Sequence, residues 1–99
     1  MKFLTIVKPR PIPGMTSAIA QATLERLKAN LKSGVADCYY TFAGDDASCG
    51  ILNADSAEAL QELLMESPAY PFLEHETHVL TDSQKFIGKL IESLKKQGQ

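Results

Sequence analysis

Asp55-Ser-Ala-Glu-Ala-Leu-Gln-Glu-Leu-Leu-Met-Glu-Ser-Pro-Ala-Tyr-Pro-Phe-Leu-Glu-His-Glu-Thr-His-Val-Leu80 is the stretch that decides the fold. Its first half has helical spacing. Ala57, Leu60, Leu63 and Leu64 make one apolar stripe. Asp55 and Glu58 have the spacing of a capping box, each side chain reaching the other's backbone amide. Ser67-Pro68 ends the helix, because proline disfavours a helical residue before it. Pro71 ends a short corner, and Phe72 to Leu80 follows as a strand. That strand carries the densest titratable cluster of the chain: Glu74, His75, Glu76 and His78.

Working outward, Lys2 to Lys8 is a short apolar strand stopped by Pro9, Pro11, Pro13 and Gly14. From Met15 the pattern turns helical. Ala20, Leu24, Leu27 and Leu31 form the apolar stripe, Thr16 or Ser17 the cap, and Gly34 the left-handed stop. Val35 to Phe42 and Ala47 to Asn53 read as a hairpin closed by Gly44-Asp45. With Ala43 opposite Asp46, Tyr40 faces Cys49 and Cys38 faces Ile51. One hairpin face then holds Cys38, Tyr40, Phe42, Cys49 and Ile51, and is expected under helices. The other holds Asp37, Tyr39, Thr41, Ser48, Gly50 and Leu52, a mixed surface suited to a pocket or a partner. After Leu80, Thr81 to Gln84 offers a cap, and Ile87, Leu90, Ile91 and Leu94 stripe a third helix.

The order strand, helix, strand, strand, helix, strand, helix predicts an α+β fold. It is a ferredoxin-like βαββαβ domain over residues 1–99, with a C-terminal helix. Two helices cover one sheet face. Leu4, Ile6, Leu52, Phe72 and Leu80 are expected on the other, which calls for a second copy rather than solvent. The third helix is then free to clasp that partner.

Composition excludes several classes. The formal charge is -2, from 10 basic and 12 acidic residues. Lys95 and Lys96 are the one adjacent basic pair, so no clustered basic surface for nucleic acid is expected. No apolar run approaches a membrane span. The N-terminal apolar run is too short for a signal peptide. Cys38 and Cys49 do not make a CxxC pair, and a cytoplasmic protein with reduced thiols is expected. No Gly-rich phosphate loop is present, so no nucleotide cofactor is implied.

Alternation along the last strand places Glu74, Glu76 and His78 on one face and His75 with Leu73, Thr77 and Val79 on the other. Two histidines on opposite faces cannot share one metal ion. Glu76 and His78 read either as a general acid/base pair or as edge-strand charge. His75 reads either as a hydrogen-bonded core histidine or as a catalytic group in a cavity. Tyr39 and Tyr40 are the phenols available to hold a ligand oxygen.

Ala43-Gly44, Asp55-Ser56-Ala57-Glu58-Ala59-Leu60, Leu64-Met65, Pro68 and Tyr70-Pro71-Phe72 together resemble the muconolactone isomerase family, over roughly residues 35 to 80. The resemblance implies a dimeric α/β barrel, with larger rings of such dimers. It also implies a cofactor-free proton shift in an unsaturated lactone, in aromatic catabolism. Glu76 and Glu25 resemble acidic positions of the family pattern. The second strand departs from it, with Asp37, Tyr40 and Thr41 where the family carries arginine and tryptophan. The expected mechanism is proton abstraction beside a carbonyl, with His75 or Glu76 as base and Tyr39 or Tyr40 on the oxygen. Two alternatives stand beside it: a cofactor-free monooxygenase on the same barrel, and a non-catalytic ligand-binding or assembly protein.

Overall fold

The structure is a computed structural model that describes residues 1–98. Its elements are β1 (Lys2–Pro9), α1 (Ser17–Ser33), β2 (Ala36–Thr41), β3 (Ser48–Asn53), α2 (Ala57–Met65), β4 (Leu73–Leu80) and α3 (Ser83–Lys96). A single 3-10 turn, Tyr70–Phe72, leads into β4. The strands form one antiparallel sheet in the order β2-β3-β1-β4. This is the expected ferredoxin-like α+β arrangement, with β1 in the interior between β3 and β4.

Helix ends follow local chemistry. The Thr16 side chain accepts from the Ile19 amide at 3.1 Å, and Gly34 closes α1 at φ 83°. At α2 the cap is Ser56 rather than the expected Asp55. Ser56 is extended and its hydroxyl accepts from the Ala59 amide at 3.0 Å, so the helix starts one residue later than the capping-box spacing indicated. At α3 the Asp82 carboxylate accepts from the Gln84 and Lys85 amides.

Pairing sets the two faces of the sheet. Phe3 lies opposite Leu52 and Val79, Thr5 opposite Gly50 and Thr77, and Val7 opposite Ser48 and His75. These odd-numbered β1 residues face the helices. Phe3, Ala36, Leu52 and Leu60 form the buried core there, with Leu63 and Leu64 packed beside them. Leu4 and Ile6 therefore face the other way, beside Ile51, Cys49, His78 and Glu76.

The hairpin keeps its expected register, Tyr40 opposite Cys49 and Cys38 opposite Ile51. Its turn is longer than the expected Gly44-Asp45 pair. The Phe42 amide donates to the Ala47 carbonyl, and the Asp45 amide donates to the Phe42 carbonyl. The Asp45 carboxylate holds the Asp46 and Ala47 amides. One residue opens on each side, so the register survives. Gly44, at φ 77°, occupies the turn position that needs a left-handed residue.

The face assignment is reversed. The helices cover Tyr39, Thr41, Ser48, Gly50 and Leu52, while Cys38, Tyr40, Cys49 and Ile51 lie on the open side. Leu52 is core, not open face, and Phe72 belongs to the 3-10 turn. Leu4, Ile6 and Leu80 do lie on the open side. A register irregularity between Ala36 and Cys38 also separates Asp37 from the Tyr39 face. Asp37 instead accepts from Lys2 Nζ and from Asn53 Nδ2 at 2.8 Å.

Helix α3 stands away from this body. None of its residues is buried, and the molecule extends 60 Å in its long dimension against 29 and 23 Å in the others. Among the described residues, no helix is long and apolar enough to cross a membrane.

The proline-rich connector is fastened at one point. The Arg10 amide donates to the Phe72 carbonyl at 2.8 Å. Gly14 has φ 119°, and a Cβ there would come within 2.9 Å of Phe72 Cε1. Gly14→Ala should therefore lower unfolding stability by about 1–3 kcal/mol, from backbone strain and the ring contact together. Urea denaturation measures this; an unchanged midpoint would contradict the assigned backbone conformation.

Candidate functional site

The covered face of the sheet is hollow. A cavity of about 580 Å³ lies between it and helices α1 and α2. Thr5, Val7, Tyr39, Ser48 and Gly50 contribute from the strands, Thr23, Leu24, Leu27 and Asn30 from α1, and Leu63 and Leu64 from α2. Leu73 and His75 line it from β4. Ala20, Leu24 and Leu27 of the α1 stripe expected to pack on the sheet line this space instead. No α1 residue is buried, and Leu24 remains 44% exposed.

Gly50 shapes one end. A Cβ on Gly50 would lie 2.6 Å from Tyr39 Cδ1, so the missing side chain lets the Tyr39 ring cross β3. Asn30 Nδ2 donates to Tyr39 Oη at 3.0 Å. The phenol oxygen thus accepts from α1, which leaves its own proton to be donated elsewhere.

His75 occupies the other edge. It sits opposite Val7, with its ring stacked on Tyr70 at a centroid distance of 5.0 Å and 29° between planes. Partial burial pulls its pKa below the usual 6.5, and the positive charge of Arg10 pulls the same way; a hydrogen bond to the Leu73 backbone opposes them. At neutral pH the imidazole is uncharged and available as a proton acceptor.

Three more of the polar residues that line the same space matter here. Arg26 Nη2 donates to Glu66 Oε2 at 2.7 Å and to the Leu63 carbonyl at 3.4 Å, which places a cation at the cavity wall. Thr5 is 4% exposed, and its Oγ1 has no hydrogen-bond partner among the described residues. Asn30 is the third. Sequence reasoning passed over all three. The signal was present in two forms: a lone threonine inside Phe3-Leu4-Thr5-Ile6-Val7, and Thr23 and Asn30 falling on the apolar arc of α1 around Leu27.

Of the four expected site residues, the cavity brings together His75 and Tyr39. They come from the two edge strands of the sheet, three interstrand spacings apart, or roughly 14 Å. At that separation the two groups cannot meet at one bond. Glu76 belongs to the open face, where its carboxylate lies 2.6 Å from His78 Nε2; this hydrogen bond holds the Glu76 carboxyl below its usual range. Tyr40 touches the cavity rim but is 68% exposed. Glu25 lies on the outside of α1, bonded by Gln21. His75 and His78 point to opposite faces of β4, and no cluster of three potential metal ligands occurs among the described residues.

A pH titration checks the His75 environment. Its ring should titrate below 6.5 when followed by NMR of the imidazole carbons. The sign for stability follows. The folded value lies below the unfolded one, so this contribution is present above about 6.5 and is lost as pH falls through the folded value. A midpoint at or above 6.5 would contradict the partial desolvation.

No family model matches the chain, and no curated protein matches it by sequence. Among solved structures, a crystal structure of muconolactone isomerase superposes with a TM-score of 0.68, covering 83% of this chain and 90% of that one at 24% identity. At that identity the likeness is one of fold. The chain has a muconolactone isomerase-like fold.

Proposed function

We propose that the protein is a cofactor-independent isomerase-like enzyme acting on a lactone or enol-type small molecule in the cavity between sheet and helices. One observation carries this reading: a mostly apolar cavity of about 580 Å³ that gathers a neutral imidazole, a phenol and a guanidinium at its wall. The muconolactone isomerase-like fold supports it. The second strand lacks the cation that would hold an anionic substrate, but Arg26 of α1 brings one from the helix side.

The mechanism uses each group for what its setting favours. His75 takes a proton from the carbon beside the substrate carbonyl and returns it to the conjugated carbon, so no net proton is consumed. Its lowered pKa keeps the ring neutral and able to accept at pH 7. Tyr39, held through its oxygen by Asn30, donates to a substrate oxygen at the far end. Arg26 already holds the Glu66 carboxylate, so a substrate carboxylate would share the guanidinium with it. Glu76 lies on the open face and Tyr40 reaches only the rim of the cavity, so the reading takes His75 as the base.

Variants test the roles. His75→Ala should lower turnover about 10²–10⁴-fold, and Tyr39→Phe should lower it less. Solvent-deuterium exchange beside the carbonyl of unsaturated γ-lactones, followed by NMR, measures the step directly. Full exchange in His75→Ala would remove His75 as base. Oxygen uptake during turnover would replace the isomerase reading with the monooxygenase one.

The same reading includes a second copy of the chain, in a cytoplasmic setting. Phe86, Ile87, Leu90, Ile91 and Leu94 are all exposed along α3, and Leu4 and Ile6 face outward from the open side of the sheet. Apolar area of that extent calls for cover. Light scattering should give a dimer or a larger ring at micromolar concentration, and Leu90→Lys with Ile91→Lys should weaken it. A stable monomer for the unaltered chain would contradict the pairing.

A further inference from the structure

The geometry points to Thr5 as a specificity-determining residue of the cavity: its hydroxyl hydrogen-bonds an oxygen of the bound molecule, of carbonyl or carboxylate type. Thr5 stands at the middle of β1, opposite Gly50 on one side and Thr77 on the other. It is 4% exposed, lines the cavity, and its Oγ1 has no protein partner among the described residues. Buried hydroxyls are normally paired, and an unpaired one carries a desolvation cost. Valine has nearly the same shape and would remove that cost, so the fold itself gives no reason for an oxygen here. The cavity does.

The surroundings select the position on the ligand. Gly50, beside Thr5 in the sheet, has no side chain to cover it, and the Tyr39 ring crosses β3 at that point. Thr5 lies on the floor between the Tyr39 end and the His75 end; its Oγ1 is itself covered, and turning about χ1, which exchanges it with the methyl, brings it to a ligand. A hydroxyl there offers its proton to a ring oxygen or carbonyl lying across the floor. An oxygen-free ring would leave it as poorly paired as before.

This inference rests on the reading that the cavity takes an oxygenated small molecule, but not on proton transfer by His75. The test titrates the protein with γ-butyrolactone and with the oxygen-free ring methylenecyclopentane, following backbone amide shifts. The unaltered chain should bind the lactone more tightly than the hydrocarbon. Thr5→Val should bind the lactone roughly three- to ten-fold more weakly, as expected for one neutral hydrogen bond, and the hydrocarbon no more weakly. Thr5→Ser should restore most of the lactone affinity. Thr5→Val should melt at the same temperature as the unaltered chain or higher. Equal lactone affinity in Thr5→Val overturns the assignment while leaving the cavity reading standing. A markedly lower melting temperature for Thr5→Val shows that the hydroxyl serves the fold, and also overturns it. Binding of neither ring to the unaltered chain removes the cavity reading and this assignment together.

Discussion

Strand alternation through β1 is the constraint on which the rest of the structure depends. β1 is paired along both edges, so each of its side chains is committed to one face by two registers at once. Phe3, Thr5 and Val7 meet the helices; Leu4 and Ile6 cannot. A shift of one residue would exchange core for surface along the strand and, through pairing, along β3 and β4. The division of the titratable residues follows from the same rule. His75 shares the face of Val7, and Glu76 shares the face of Ile6. Two titratable neighbours are thereby given different environments: one imidazole partly desolvated against Tyr70, and one carboxylate in an exposed hydrogen bond with His78.

Element order was legible because each boundary had a local cause. Gly34 closes α1 at positive φ, the corner holding Pro68 and Pro71 ends α2, and Thr16 and Asp82 cap helices where short polar residues were expected. The hairpin register was legible as well, since a turn that opens evenly leaves the cross-strand partners unchanged. The identity of the covered hairpin face was not. Cys38, Tyr40, Phe42, Cys49 and Ile51 are the more apolar set, and hydrophobicity assigns the more apolar set to the helices. The covered face here must leave room for a cavity, and so carries Gly50, Ser48 and Thr41. Burial pattern and composition diverge where a face is hollow.

The candidate site was half legible for a related reason. His75 was marked by apolar neighbours on its own face, and Tyr39 by its place in a mixed set. Asn30 and Arg26 were hidden because polar residues on a helix read first as solvent-facing. Asn30 is identified by the phenol it holds, and Arg26 by the Glu66 that meets it across the gap between α1 and α2. Neither partnership has a short-range signature; each joins residues brought together by the fold. The register irregularity at Ala36–Cys38 is another such case. It moves Asp37 from the Tyr39 face to Lys2 and Asn53, and strict alternation could not foresee it.

A hollow covered face also sets the energetics. Close packing supplies much of a small domain's stability, and a cavity forfeits contacts along its whole lining. Here the buried apolar core is limited to a few residues around Phe3, Leu52 and Leu60, with no α1 residue fully buried. The helix that should seal the sheet is held near the cavity by polar contacts instead, Asn30 to Tyr39 and Arg26 to Glu66. Such contacts fix position more than they add stability, because exposed ion pairs contribute little. The remaining apolar surface, on α3 and on the open side of the sheet, lies outside this core. A ligand in the cavity, or a second chain over that outer surface, would bind the folded state and not the unfolded chain, and either would raise stability by mass action.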